Sequence, residues 1–244
     1  MLIRCIKAEN CKLRGCIIWI AFLVIPLFPA IMGTFNYVQN IGILENGWYD
    51  LWTQHTLFYA LIFFAPLVGL YAAYLWRLEH LGHNWNQIMT APVPPFYLFL
   101  AKFIVVLKMA LLTQIWVFLL FIVCGHLIAK LPGMPDITLF WWMFRGVLGS
   151  VGIIALQLIL SMVIRSFAVP ILLALAGGVA GVMMVNEGVG LYWPYALMLL
   201  GMNSNKTEDA IGGNIIVFLI SCVTFTIIFF AFAAGILKYR DVKA

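Results

Sequence analysis

Arg77-Leu-Glu-His-Leu-Gly-His-Asn-Trp-Asn-Gln-Ile-Met-Thr-Ala-Pro-Val-Pro-Pro95, continuing Phe96-Tyr-Leu-Phe-Leu-Ala-Lys102, is a polar interruption between two long apolar runs. Leu81, Trp85, Ile88 and Met89 recur at helical spacing while Glu79, His83, Asn84 and Gln87 fall on other faces, which predicts a short amphipathic helix from Leu78 to Thr90. Pro92, Pro94 and Pro95 then end it, because each lacks a backbone donor and restricts the residue before it. The short helix is thereby laid on a membrane surface between two spans, where a partner on that side can push on it.

The membrane assignment rests on composition. The chain is 65% hydrophobic and 9% charged, against about 25% charged in soluble domains. A hydrocarbon core about 30 Å thick takes about 20 apolar residues per helix, and six runs answer to that: 17–38, 53–76, 96–128, 138–164, 168–185 and 215–237. The fold class is therefore an all-α membrane protein with about six transmembrane helices, one domain over 1–244. Its parts are an amphipathic segment at 1–16, the loop at 77–95, and an outer loop at 186–214 carrying a short re-entrant or interfacial helix. The third run exceeds one upright span, so its start near Lys102 lies in the interface or the helix tilts.

Arg4, Lys7, Lys12, Arg14, Arg77, Arg165, Lys238, Arg240 and Lys243 fall in one set of connections; the other holds only Lys130 and Lys206. Positive flanks stay cytoplasmic, so both termini and the 77–95 loop are expected there, in a multi-pass protein of the cell membrane. Most acids fall outside: Glu45, Asp50, Asp136, Glu187, Glu208 and Asp209. The formal charge of +5 is a topology signal and calls for no nucleic acid. The first run imitates a signal peptide, but it is long and no small-residue cleavage motif follows, so it reads as a retained span.

The 1–16 segment, with Ile3, Ile6 and Leu13 against Arg4, Lys7, Lys12 and Arg14, reads either as a helix on an anionic leaflet or as a solvated basic tail. Trp48, Tyr49, Trp52, Trp141, Trp142, Tyr192 and Trp193 read as aromatic belts, and together they make the outer face a place to hold an amphipathic ligand. In the third run Lys102 snorkels to the interface. Lys108, about 9 Å further along the axis, is either a functional intramembrane charge or a second snorkelling side chain, with Gln114 beyond it. Asp50, Glu187 and Trp193, with Trp48, Trp52, Lys108 and Gln114, are the candidates for a substrate path. Ala174, Gly177, Gly178 and Gly181 place small residues four apart, the spacing of a close helix seam within or between subunits.

The expected absences are as informative. There is no phosphate-binding Gly-x-x-x-x-Gly-Lys-Ser/Thr loop, no nucleophile elbow, and no metal spacing among His55, His80, His83, His126 and five cysteines, an odd number. No catalytic residue, metal or cofactor is assigned to this chain.

The amphipathic N-terminal segment, the six spans and the loop Glu79-His-x-x-x-Asn84-Trp85-x-x-x-Met89-Thr90-x-Pro92-Val93 before Lys102 resemble the permease subunit of a type-two ABC transporter. More narrowly, Trp48-Tyr-x-x-Trp52-Thr53-Gln54-His55, Arg77-x-Glu79-His80 and the Asn84-Trp85 to Pro92 string resemble the lantibiotic-immunity branch, which protects producer cells from their own peptide antibiotic. The resemblance implies that Glu79, His80, Asn84, Trp85 and Pro92 form a coupling helix seated on an ATPase. It also implies ATP and Mg on that separate chain, a second permease, identical or paralogous, and export of an antimicrobial peptide from the bilayer. The alternatives are a type-two permease for another peptide or lipid-like substrate, and, from another class, an ion-coupled carrier or membrane enzyme built on Lys108 and Gln114. The last two are disfavoured, since no repeat relates 1–128 to 129–244 and the buried titratable groups are dispersed.

Overall fold

The computed structural model describes residues 1–81, 93–204, 206, 208–209 and 211–239. Among them six helices are long and apolar enough to cross a membrane: Ile18–Gln39, Trp48–His80, Pro95–Leu127, Ile137–Val163, Ala168–Asn186 and Ile215–Lys238. No strand occurs among the described residues. Among the described residues two further α-helices are short. Leu2–Lys12 precedes the first span, and Pro194–Gly201 lies between the fifth and sixth. Six crossings divide the connections into a basic end, with the N-terminal helix, and an acidic end, with the 40–47, 128–136 and 187–214 connections.

Proline sets several boundaries. The first span is two helices, Ile18–Val24 and Leu27–Gln39, broken at Ile25 and Pro26; Pro29, in the first turn of the second piece, forfeits no helical hydrogen bond. Pro95 opens the third span at its first position. That span is one continuous helix to Leu127, and Lys102, expected to snorkel, is fully enclosed by protein.

The second span starts at Trp48, earlier than the run at 53. Asp50 lies in its first turn and its Oδ2 accepts the Asn46 backbone N–H at 2.8 Å. What reads as an outer belt is thus partly helix interior: Trp52 and Trp142 are buried, while Trp141 and Tyr192 are exposed. At its other end the helix extends to His80, so Leu78–His80 form the last turn of a span. The rest of the predicted amphipathic helix, over 82–90, lies outside the described residues.

The fourth span is the axis of the bundle. Of its most apolar stretch 72% is buried, against 11% for the sixth, so the sixth faces lipid or another chain along nearly its whole length. Pro194–Gly201 is buried at every residue, packed on the fourth and fifth spans. It is enclosed by the bundle because two glycine faces admit it. A Cβ on Gly149 would stand 2.5 Å from the Leu197 carbonyl oxygen, and one on Gly177 would stand 2.5 Å from the Tyr195 ring. The small residues of the fifth span thus form an intramolecular seam: Gly177 and Gly181 face this helix, and Gly178 and Ala174 face the second span.

In lipid, apolar contact alone does not drive helices together, so packing and polar contacts set the register. Thr34 Oγ1 meets His55 Nε2 at 2.6 Å, Asn36 donates to Gln54 at 2.6 Å, Tyr71 and Thr113 share a 3.0 Å hydrogen bond, and Gln157 donates to the Tyr195 hydroxyl at 2.6 Å. The second span also carries a π-helical turn at Tyr59–Phe63. Beside it the Tyr59 hydroxyl and His55 Nδ1 are buried with no hydrogen-bond partner among the described residues.

Candidate functional site

Two places concentrate polar chemistry, one at each end. At the basic end, Leu2, Cys5, Ile6, Glu9 and Leu13 make one stripe of the N-terminal helix and turn toward the protein, while Ile3, Arg4, Lys7 and Cys11 turn away. The helix packs along the third span. This revises the expected amphipathic pattern, since Ile3 is exposed and Lys12 is engaged in ion pairs.

Glu9 is the centre of that stripe, and what it meets is unusual. Lys102 Nζ lies 2.8 Å from Glu9 Oε2 and 2.7 Å from Glu79 Oε1, donates to the Leu75 carbonyl at 3.0 Å, and stands 4.9 Å from the centroid of the Trp76 ring. Lys12 Nζ lies 2.6 Å from Glu9 Oε1 and also pairs with Glu79 Oε1. The four side chains close an alternating ring, Lys12, Glu9, Lys102, Glu79, with no net charge. Lys102 is 0% exposed, Glu9 1% and Glu79 3%, so none of the three has bulk water to fall back on. Burial pulls the Lys12 ammonium down, and the Glu9 and Glu79 carboxylates outweigh it, raising it above its ordinary 10.5. Its share of the ring's stability is therefore fully present at physiological pH and is lost only as pH rises past the elevated value.

Of the residues assigned to coupling, Glu79 is thus held inside the chain, and His80 Nε2 donates to the Ser161 carbonyl of the fourth span at 3.0 Å. Asn84, Trp85 and Pro92 lie outside the described residues. Lys108 also turns to the N-terminal helix, where its ammonium hydrogen-bonds Asn10 Oδ1.

At the acidic end a cleft of about 600 Å³ is lined by Trp48, Tyr49, Leu131, Met134, Asp136 and Trp142, among others. Trp48 donates to the Pro132 carbonyl at 2.9 Å, and Tyr49 meets Trp142 edge to face at 5.4 Å, so the aromatic wall is braced. Asp136 caps the fourth span, accepting Thr138 N–H at 2.8 Å and the Thr138 hydroxyl at 2.5 Å. These hydrogen bonds hold its carboxyl below the ordinary 3.8; the stabilisation they bring is present above that value and lost as pH falls beneath it. The wall thus keeps a negative charge at any physiological pH.

Only Trp48 of the seven path candidates lines this cleft. Trp52 is buried and donates to the Met202 carbonyl, Gln114 donates to Met202 Sδ at 3.5 Å, and Trp193 donates to the Gly177 carbonyl. Asp50 is buried and Glu187 exposed outside the cleft. Sequence reasoning passed over Arg145, buried within the fourth span. Its Nη1 and Nη2 each lie 2.8 Å from an Asp209 carboxylate oxygen, and its Nε donates to the Gly201 carbonyl at 3.1 Å. It also passed over Glu9. Asp136 it placed only among the outer acids. Among the described residues no group of histidine, cysteine and carboxylate side chains is arranged to hold a metal.

Comparison with curated proteins and with solved structures gave no match. The family model described as ABC-2 family transporter protein matches residues 5–181, which include the ring, the first four spans and most of the fifth. That is well over half of the chain, and this protein belongs to the ABC-2 transporter family, as a multi-pass membrane permease subunit of an ABC transporter.

Proposed function

We propose that this permease serves an ABC exporter which removes a lantibiotic or related cationic antimicrobial peptide from the cell membrane, giving self-immunity or resistance. What supports the reading is the cleft at the acidic end: aromatic faces beside a carboxylate suit an amphipathic, positively charged ligand better than a neutral lipid. The basic end is cytoplasmic by the positive-inside rule. There residues 82–92 are the contact for a separate ATPase that binds ATP and Mg, and the exposed face of the sixth span is open to a second permease, identical or paralogous.

Asparagine at position 136 keeps a helix-capping oxygen and discards the charge. Cells making this chain and its candidate ATPase are expected to lose about fivefold in tolerance to a cationic lantibiotic on Asp136→Asn, with membrane abundance unchanged. Equal tolerance of the variant and wild type would sink the cleft as the peptide site. The ATPase link is tested separately: the tagged chain should co-purify with the candidate ATPase, and Trp85→Ala should release it. If wild type retains no ATPase in mild detergent, the proposed partner is wrong.

A further inference from the structure

We propose that Glu9 and Lys102 are positioning residues that fasten the N-terminal helix to the two spans flanking 82–92, so that this helix, the end of the second span and the start of the third move as one body. The part of this that concerns coupling rests on the function proposed above; the fastening itself does not.

The argument is electrostatic. Glu79 is the second-to-last residue of the second span, and Lys102 is in the second turn of the third, after Pro95. Glu9 is carried by a separate helix, yet it bonds the same ammonium that Glu79 bonds. Removing one member of such a buried set strands an uncompensated charge, whereas removing an opposite pair together is tolerated. The ring thus allows one relative placement of the three elements and penalises others. Asn10 to Lys108 adds a second polar tie about two turns along the third span. Arg4 and Lys7 face away and take no part.

Cys5 reports the docking, since it is half-buried on the inward stripe, one helical turn from Glu9. In the full chain, with Cys11 and Cys16 changed to serine and Cys124 and Cys222 to alanine, Cys5 is labelled with a polar maleimide in inside-out membrane vesicles. Glu9→Leu and Lys102→Met are each expected to speed labelling at least tenfold. The double variant, which keeps the Lys12–Glu79 pair and a net charge of zero, is expected to return to within about threefold of wild type. Accumulation of the double but not of a single variant supports the same conclusion. Single variants that label at the wild-type rate, a double that labels as fast as the singles, or a double that fails to accumulate would overturn it.

The coupling readout uses the complex with its ATPase and a purified cationic lantibiotic. The singles should retain the co-purified ATPase within about twofold yet lose at least fivefold in peptide-stimulated hydrolysis, and the double should recover it. Singles that hydrolyse normally while Cys5 is released would show that the ring fastens the helix without serving coupling. If wild type holds no ATPase, the reading of function fails, and the labelling still decides the fastening.

Discussion

Arg145→Leu is expected to destabilise the permease by about 3 kcal/mol, the lower end of what breaking a buried ion pair costs, measured as the shift in unfolding midpoint of the purified protein. Arg145 lies about 12 Å along the fourth span from its acidic end and is 2% exposed. Its loss takes a donor from the Gly201 carbonyl, which ends the Pro194–Gly201 helix, and the cationic fork from the Asp209 carboxylate, which keeps the Ile211 backbone N–H at 3.1 Å. The Asp209 side chain is 38% exposed and can recover water, which keeps the cost from the top of that range. Arg145→Lys should recover less than half of the loss, because a single ammonium cannot reproduce the bidentate pair and still reach the carbonyl. A lysine variant as stable as wild type would show that charge alone, and not the planar fork, holds the outer segment.

Arg145 also shows why part of this protein is legible in its sequence and part is not. The six spans emerge because apolar length is a local property, and five of them start within one residue of the reading. The second span differs at its start because Trp48, Tyr49, Asp50 and Trp52 have the composition of an interface, while the contacts that place them in a helix come from Phe121, Trp142 and Met202. A lone arginine inside a strongly apolar run is averaged away, and its partner is 64 residues downstream. Lys102 and Lys108 were conspicuous as charges in a span, but their partners, Glu9, Glu79 and Asn10, are a matter of tertiary structure. Glu9 had a sequence signal that was available: one acid among the basic residues of a helix, on the same stripe as Leu2, Ile6 and Leu13. The glycines of the fifth span were legible as a seam, and the side they face was not, since spacing describes a face without naming its neighbour.

The glycines of the fourth span provide the sharpest contrast, because two of them one turn apart are expected to respond very unequally to the same methyl group. Gly149→Ala should cost about 3 kcal/mol, the upper end for an overpacked core. The added carbon would stand 2.5 Å from the Leu197 oxygen, 2.6 Å from its carbonyl carbon and 2.7 Å from the Met198 nitrogen. All three are backbone atoms of the Pro194–Gly201 helix, so no rotamer change relieves the clash and the helix must back away as a unit. That retreat also strains the Arg145 hydrogen bond to Gly201, whose own Cβ position is 2.6 Å from the Arg145 carbonyl oxygen. A Cβ on Gly152 meets only Phe225 Cβ, at 3.3 Å, on the sparsely packed sixth span. A shift of a few tenths of an ångström accommodates it, and the gain of about 1 kcal/mol in helix preference of alanine over glycine offsets the strain. Gly152→Ala is therefore expected within about 1 kcal/mol of wild type. Unfolding midpoints that fall equally for both variants would mean that the Pro194–Gly201 helix is not seated on Gly149, and the route by which Arg145 reaches Gly201 and Asp209 would fail with it.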